Sequence, residues 1–200
     1  MNISLVPAQC NIKETTFCPL TPEEFTLLQE AGLISQRKRS YRMVVHHREI
    51  QVECPILLDG KRPVGVILPA FKLPYRPYPC YVYLFAVALY LVGNSMRRAA
   101  ETVQKKFGIS GFSHSTISRV FSILVVKADL LATVFVDNTV DLPRKSLPGH
   151  PALLERLTWS QKKTQAAFQL FKVLAPLLCK PQLGILLVYR YFMQYCCLLM

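Results

Sequence analysis

Between Ser113 and Ser122, short hydroxyls and a guanidinium recur at helical spacing. Ser115, Ser118, Arg119 and Ser122 fall on one side of a helix whose other side carries Ile117, Val120, Phe121 and Leu124. An arginine can bond guanine bidentately, and serines can donate to base edges or phosphates, so such a face suits a major groove. Ser113, just ahead, can accept from the free N–H groups that open the helix. Upstream, Ala99, Val103 and Phe107 repeat every fourth residue, while Arg97, Arg98, Lys105 and Lys106 lie off that stripe and offer charge to phosphates. From Ser95 to Ala128 there are six basic residues and one acidic residue. The plain alternative is a pair of packing helices, since glycine-joined amphipathic helices occur in domains that touch no nucleic acid. The stretch from Gly108 to Phe112 is also longer than the usual three- or four-residue turn. The positive charge favours duplex DNA, with Arg97, Arg98, Lys105, Lys106, Ser113, Ser115, Ser118, Arg119 and Ser122 as the binding set.

Other chemistries find less support. Two-metal strand transfer needs three carboxylates on an α/β core, but Asp129, Asp137, Asp141 and Glu155 are few, close together and not set among alternating strands and helices. His46 and His47 are adjacent and so point to opposite faces of a strand. Metal ligation together with Cys54 is conceivable, but the more ordinary reading of the two histidines is exposed polar residues on a basic strand. Neither a phosphate-cradling glycine loop nor a nucleophile elbow is present. Seven cysteines form an odd set without C-x-x-C spacing, which favours buried thiols in a reducing compartment. The expectation is a protein without enzymatic activity, metal, cofactor or small-molecule substrate. With no signal-like N-terminus, the expected location is cytoplasmic.

The elements that must position these residues are legible in outline. The chain has 200 residues and a net charge of +12, which argues for a polyanionic partner, nucleic acid first and an anionic membrane surface second. Residues 1–34 carry one lysine against four glutamates, residues 35–80 nine basic against three acidic groups, and residues 158–200 five against none. The pattern predicts a mainly α fold with a small β-ribbon (α+β), in which a helix-turn-helix core follows an N-terminal ribbon. Four regions are expected: a lead-in with a short helix (1–39), a basic ribbon (40–72), a core helix plus the helix pair (73–128) and a C-terminal helical region (129–200).

In the first region Thr21, Pro22 and Glu24 mark a capped helix start, with Leu20 and Phe25 as its staple and Gly32 as its stop. Gln36 to Arg42 reads as a basic link before strands broken at Asp59-Gly60. Pro69 to Pro79 is a rigid connector. In it Phe71, Tyr75 and Tyr78 pack on the core, or Lys72 and Arg76 track a phosphate backbone. Tyr81 to Val92 is apolar all round and should be a buried helix. Lys127 to Val136 either prolongs the preceding helix or forms its own. Asp137 to Pro151 is a loop, and Ala152 onward is helical with breaks at Pro176 and Pro181. Leu183 to Met200 has the length of a membrane span, but Arg190 and Gln194 favour an amphipathic helix packed on protein.

The order of Ser40-Tyr41-Arg42, Cys54-Pro55, Leu73-Pro74-Tyr75-Arg76-Pro77-Tyr78, Arg97-Arg98-Ala99-Ala100 and Ser113 to Arg119 resembles a family of bacterial transposase-like proteins of unknown function. In that family a zinc ribbon precedes a helix-turn-helix. The resemblance spans roughly residues 40–121 and implies a DNA-binding protein of mobile-element origin. The family's C-P-x-C knuckles are broken here, because Cys18-Pro19 runs on to Leu20-Thr21 and Cys54-Pro55 to Ile56-Leu57. A degenerate transposase remnant that folds but binds nothing is the alternative within the same resemblance, and a basic protein held at a membrane by its apolar C-terminus is the alternative outside it.

Overall fold

A twelve-residue helix with apolar side chains on every side sits at the centre of the chain. This helix, Cys80–Leu91 (α2), is surrounded because no face of it is polar enough to meet water. The computed structural model describes residues 22–136, 160–195 and 199–200. Among them the order is α1 (Pro22–Glu30), β1 (Ile34–Val45), β2 (Arg48–Asp59), β3 (Arg62–Val66), α2, α3 (Met96–Phe107), α4 (His114–Val126) and α5 (Ala128–Val136). Helix α6 (Gln161–Leu174), a 3₁₀ turn (Ala175–Leu178) and α7 (Leu183–Tyr195) follow. The fold is α+β: the described residues form seven α-helices and one antiparallel sheet ordered β1-β2-β3.

Helix α2 contacts α3, α4, α6, the 3₁₀ turn and α7, so one core runs from the strand residues Cys54 and Val66, and Leu68 just past β3, through the helices to Leu199. The expected division at residues 72 and 128 therefore does not separate hydrophobic cores. A smaller cluster of Leu28, Leu57 and Ile67 seats α1 against the sheet. Helix α7 lies close on α2, where Gly184 passes Tyr81, and it buries Leu187, Val188 and Tyr191. It packs on protein, as Arg190 and Gln194 suggest. No helix among the described residues is long and apolar enough to cross a membrane.

Three expectations require correction. Gln36 to Arg42 is not a link but part of β1, which pairs with β2 from Ile34 to Val45 with a register shift between Ile34 and Lys38. Cross-strand partners at Glu49, Gln51 and Glu53 make the basic run extended: Arg42 pairs with Glu49 at 2.7 Å, Ser40 donates to Gln51 at 2.9 Å and Lys38 pairs with Glu53 at 3.1 Å. Second, His46 and His47 are not strand residues but the hairpin turn itself, both at positive φ (46° and 61°). Two such residues in a row are the geometry of a type I′ turn, usually supplied by Asn-Gly.

Third, Tyr75 does not pack on the core; it is 85% exposed, whereas Phe71 is half-buried and Tyr78 is buried. The Asp59-Gly60 turn and the stop at Gly32 stand as read, and of the two alternatives after Lys127 the structure has the separate helix rather than a prolonged α4. Thr21 and Leu20 at the first helix start, the Asp137–Pro151 loop, the helical pattern from Ala152 to Leu157, and Cys10, Cys18, Cys196 and Cys197 lie outside the described residues.

Candidate functional site

Helix α3 begins at Ser95, whose hydroxyl accepts from the Arg98 amide at 3.2 Å, and ends at Gly108, whose left-handed φ of 54° turns the chain out of the helix. Ala99, Ala100, Val103 and Phe107 face the core, so Arg97, Arg98, Lys105 and Lys106 are exposed. At 100° per residue the four cations cover roughly half the helix circumference. Lys105 and Lys106 occupy the last turn, where cations complement the helix dipole. Lys106 also sits 4.9 Å from the Phe85 ring centroid.

Helix α4 buries Ile117, Val120, Phe121 and Leu124 and contacts α2, α3, α5 and α6 on that side. Its other side exposes His114, Ser115, Ser118, Arg119, Ser122 and Val126 as one continuous stripe. Arg97, Arg98, Lys105 and Arg119 make no ion pair among the described residues. Ser122 donates to the Ser118 carbonyl at 2.9 Å, leaving its oxygen as an acceptor. The cap expected of Ser113 is not made. Its hydroxyl instead meets those of Ser115 at 2.7 Å and Thr116 at 3.2 Å, and no side chain caps the α4 amides. Ser113 is also only half-exposed. Neighbouring hydroxyls compete with backbone donors for a serine oxygen, and the competition does not show in a one-residue capping rule.

The long turn from Gly108 to Ser113 is filled and held rather than loose. Ile109 and Phe112 are buried beneath it, and the Gln104 side chain donates across it to the Phe112 carbonyl at 2.7 Å. Two earlier segments clasp it from outside. The His46 amide donates to the Phe107 carbonyl at 3.1 Å, and the His47 amide to the Gly108 carbonyl. These bonds satisfy acceptors that a helix end leaves orphaned. From the proline string, the Tyr78 hydroxyl donates to the Ser110 carbonyl while its ring packs on Phe112, with centroids 5.6 Å apart. Burial pushes the Tyr78 phenol above its ordinary value, which keeps it a donor.

The same string holds a residue whose type gives no hint of its place. Lys72 is 2% exposed and is the buried charged side chain of the described core. Its ammonium donates to the Leu73 carbonyl at 2.9 Å and to the Arg76 carbonyl, and it lies 5.9 Å from the Tyr41 ring centroid. Desolvation lowers its pKa, and the nearby Cys54 opposes that shift. It therefore does not track phosphates. Arg76 remains partly exposed, 5.7 Å from the Tyr83 ring centroid. Among the described residues no three His, Cys, Asp or Glu side chains gather as a metal site would require.

No family model, curated protein or solved structure matches the chain.

Proposed function

We propose that the chain is a non-catalytic DNA-binding protein that sets α4 in the major groove of duplex DNA, with α3 supplying phosphate contacts. The observation that carries this reading is the single exposed stripe of α4, Ser115, Ser118, Arg119 and Ser122, presented above a fully apolar underside. An arginine flanked by hydroxyls and without an acidic partner among the described residues is well suited to base edges and phosphates. The resemblance of residues 40–121 to transposase-like proteins, and with it a mobile-element origin, points the same way. Membrane attachment through the C-terminus is the weaker reading, because α7 buries Leu187, Val188 and Tyr191 and packs on α2.

Salt titration of binding to a mixed-sequence duplex tests the proposal. Affinity should fall linearly in log–log form with salt, and Arg97→Ala should weaken all sequences about equally while lowering the slope by about 1. Arg119→Ala should cost about 1–3 kcal/mol and relax sequence preference. Salt-independent affinity, or affinity untouched by both substitutions together, would remove the reading.

A further inference from the structure

The tip of the β1–β2 hairpin is fastened to the helix pair. The His46 amide donates to the Phe107 carbonyl at 3.1 Å and the His47 amide to the Gly108 carbonyl, so the tip is seated on the last residue of α3 and the first residue of the turn into α4. Both bonds use backbone groups and leave the identity of the tip side chains open. Asn-Gly would make the same bonds and accept the positive φ of this turn with less strain. The chain instead places two imidazoles there, at φ 46° and 61°, and follows them with Arg48. All three residues are exposed.

Beside them stand Lys105 and Lys106, exposed in the last turn of α3. Through the His46–Phe107 bond, standard backbone dimensions put the His46 and Lys106 Cα atoms at most about 11 Å apart. That is about one Debye length at 0.1 M salt, so ribbon and helix charges act on a ligand together. Arg48 and Lys105 make no ion pair among the described residues. The nearest carboxylates along the chain are Glu49, which Arg42 engages at 2.7 Å, and Glu101, one turn back on α3. An imidazole carries an N–H donor in either protonation state, so all five side chains offer donors.

The position selects the ligand. When the second helix of such a pair enters a major groove, the first crosses the flanking backbone, and the tip sits at the C-terminal end of that first helix. We propose that His46, His47 and Arg48 form a second phosphate-binding surface, which with Lys105 and Lys106 grips the sugar–phosphate backbone beside the groove that α4 enters. This rests on the DNA-binding reading above. The ribbon then fixes the register of α4 on the duplex, since phosphate contacts position a protein without reading sequence.

The test compares the full-length parent chain, Arg48→Ala, and a His46→Asn, His47→Gly tip in salt titrations against several mixed-sequence duplexes. Arg48→Ala should weaken binding about tenfold at low salt, about equally for every sequence, and lower the salt slope by about 1. The Asn-Gly tip keeps both amide bonds and relieves the positive φ, so it should unfold at the same temperature as the parent or higher, yet bind about threefold more weakly. The inference is overturned if Arg119→Ala weakens duplex binding while Arg48→Ala and the Asn-Gly tip match the parent in affinity and slope. It is equally overturned if Arg48→Ala alters preference among sequences and leaves the slope unchanged, the mark of a base contact. Absence of any salt-dependent duplex binding by the parent protein would overturn the underlying reading instead.

Discussion

Gly108 shows how a single residue can set the geometry of the helix pair. A Cβ placed on it would come within 2.5 and 2.6 Å of the His47 ring and 3.2 Å of the His46 Cα, and its φ already lies in the left-handed region. Gly111, three residues on, has φ +79° but meets nothing closer than the Tyr78 hydroxyl at 3.5 Å. Gly111→Ala should therefore lose only the conformational term, about 1–2 kcal/mol, whereas Gly108→Ala should lose that plus a clash. Urea unfolding of both variants checks the difference. Adding His47→Ala to Gly108→Ala should recover part of the loss, a coupling that a double-mutant cycle reads directly. That Gly108 ends α3 follows from its type and position. That it must be glycine because a hairpin tip about sixty positions earlier in the chain presses on it does not, since no local pattern encodes the contact.

At the scale of elements, helix burial was legible and partners were not. The four-residue repeat of Ala99, Val103 and Phe107 and the stripe of Ile117, Val120, Phe121 and Leu124 name the buried faces of α3 and α4 correctly. The ribbon was harder to read. Charged residues on both faces of β1 from Arg37 to Arg39 hide its alternation, and the His46-His47 turn lacks the Asn or Gly that usually announces a hairpin. The C-terminal helix was ambiguous between membrane and core because both demand apolar residues. What separates them is Gly184, where a Cβ would lie 3.1 Å from the Tyr81 Cα and Cβ and 3.2 Å from a Leu84 methyl. Gly184→Leu should wedge α7 off α2. The expected loss is about 1–3 kcal/mol, with new binding of a hydrophobic dye as Leu187, Val188 and Tyr191 become exposed. Calorimetry and dye fluorescence would check both.

For the whole molecule, the burial of α2 makes stability depend on alkaline pH. Burial pushes the Cys80 thiol from 9.0 up to about 12, and the Tyr83 phenol from 10.0 up to about 12. Below pH 9 both groups are protonated in folded and unfolded chains alike. Above it the unfolded chain releases protons that the folded chain retains, so stability should fall as pH rises toward 12. Lys72 works in the opposite sense. Its folded pKa lies below the usual 10.5, so the unfolded chain binds more protons in that window and the contribution grows with pH. Unfolding free energies measured across the alkaline range should show a shallower decline for Cys80→Ala from pH 9 and for Tyr83→Phe from pH 10. An unchanged slope in both variants would mean that these groups titrate alike in the two states.

Local pattern alone determined the α+β class, the apolar centre at α2, the helix pair after it and the exposed cations of that pair. Each of these depends on the spacing of residue types within one turn or one strand, which sequence displays directly. Tertiary structure decided the rest: the clasp of His46, His47 and Tyr78 on the long turn, the burial of Lys72 and the outward presentation of Tyr75. Those outcomes depend on which distant segment supplies a hydrogen-bond partner or excludes water. The fold settles that by bringing remote residues together, and no run of neighbouring letters records it.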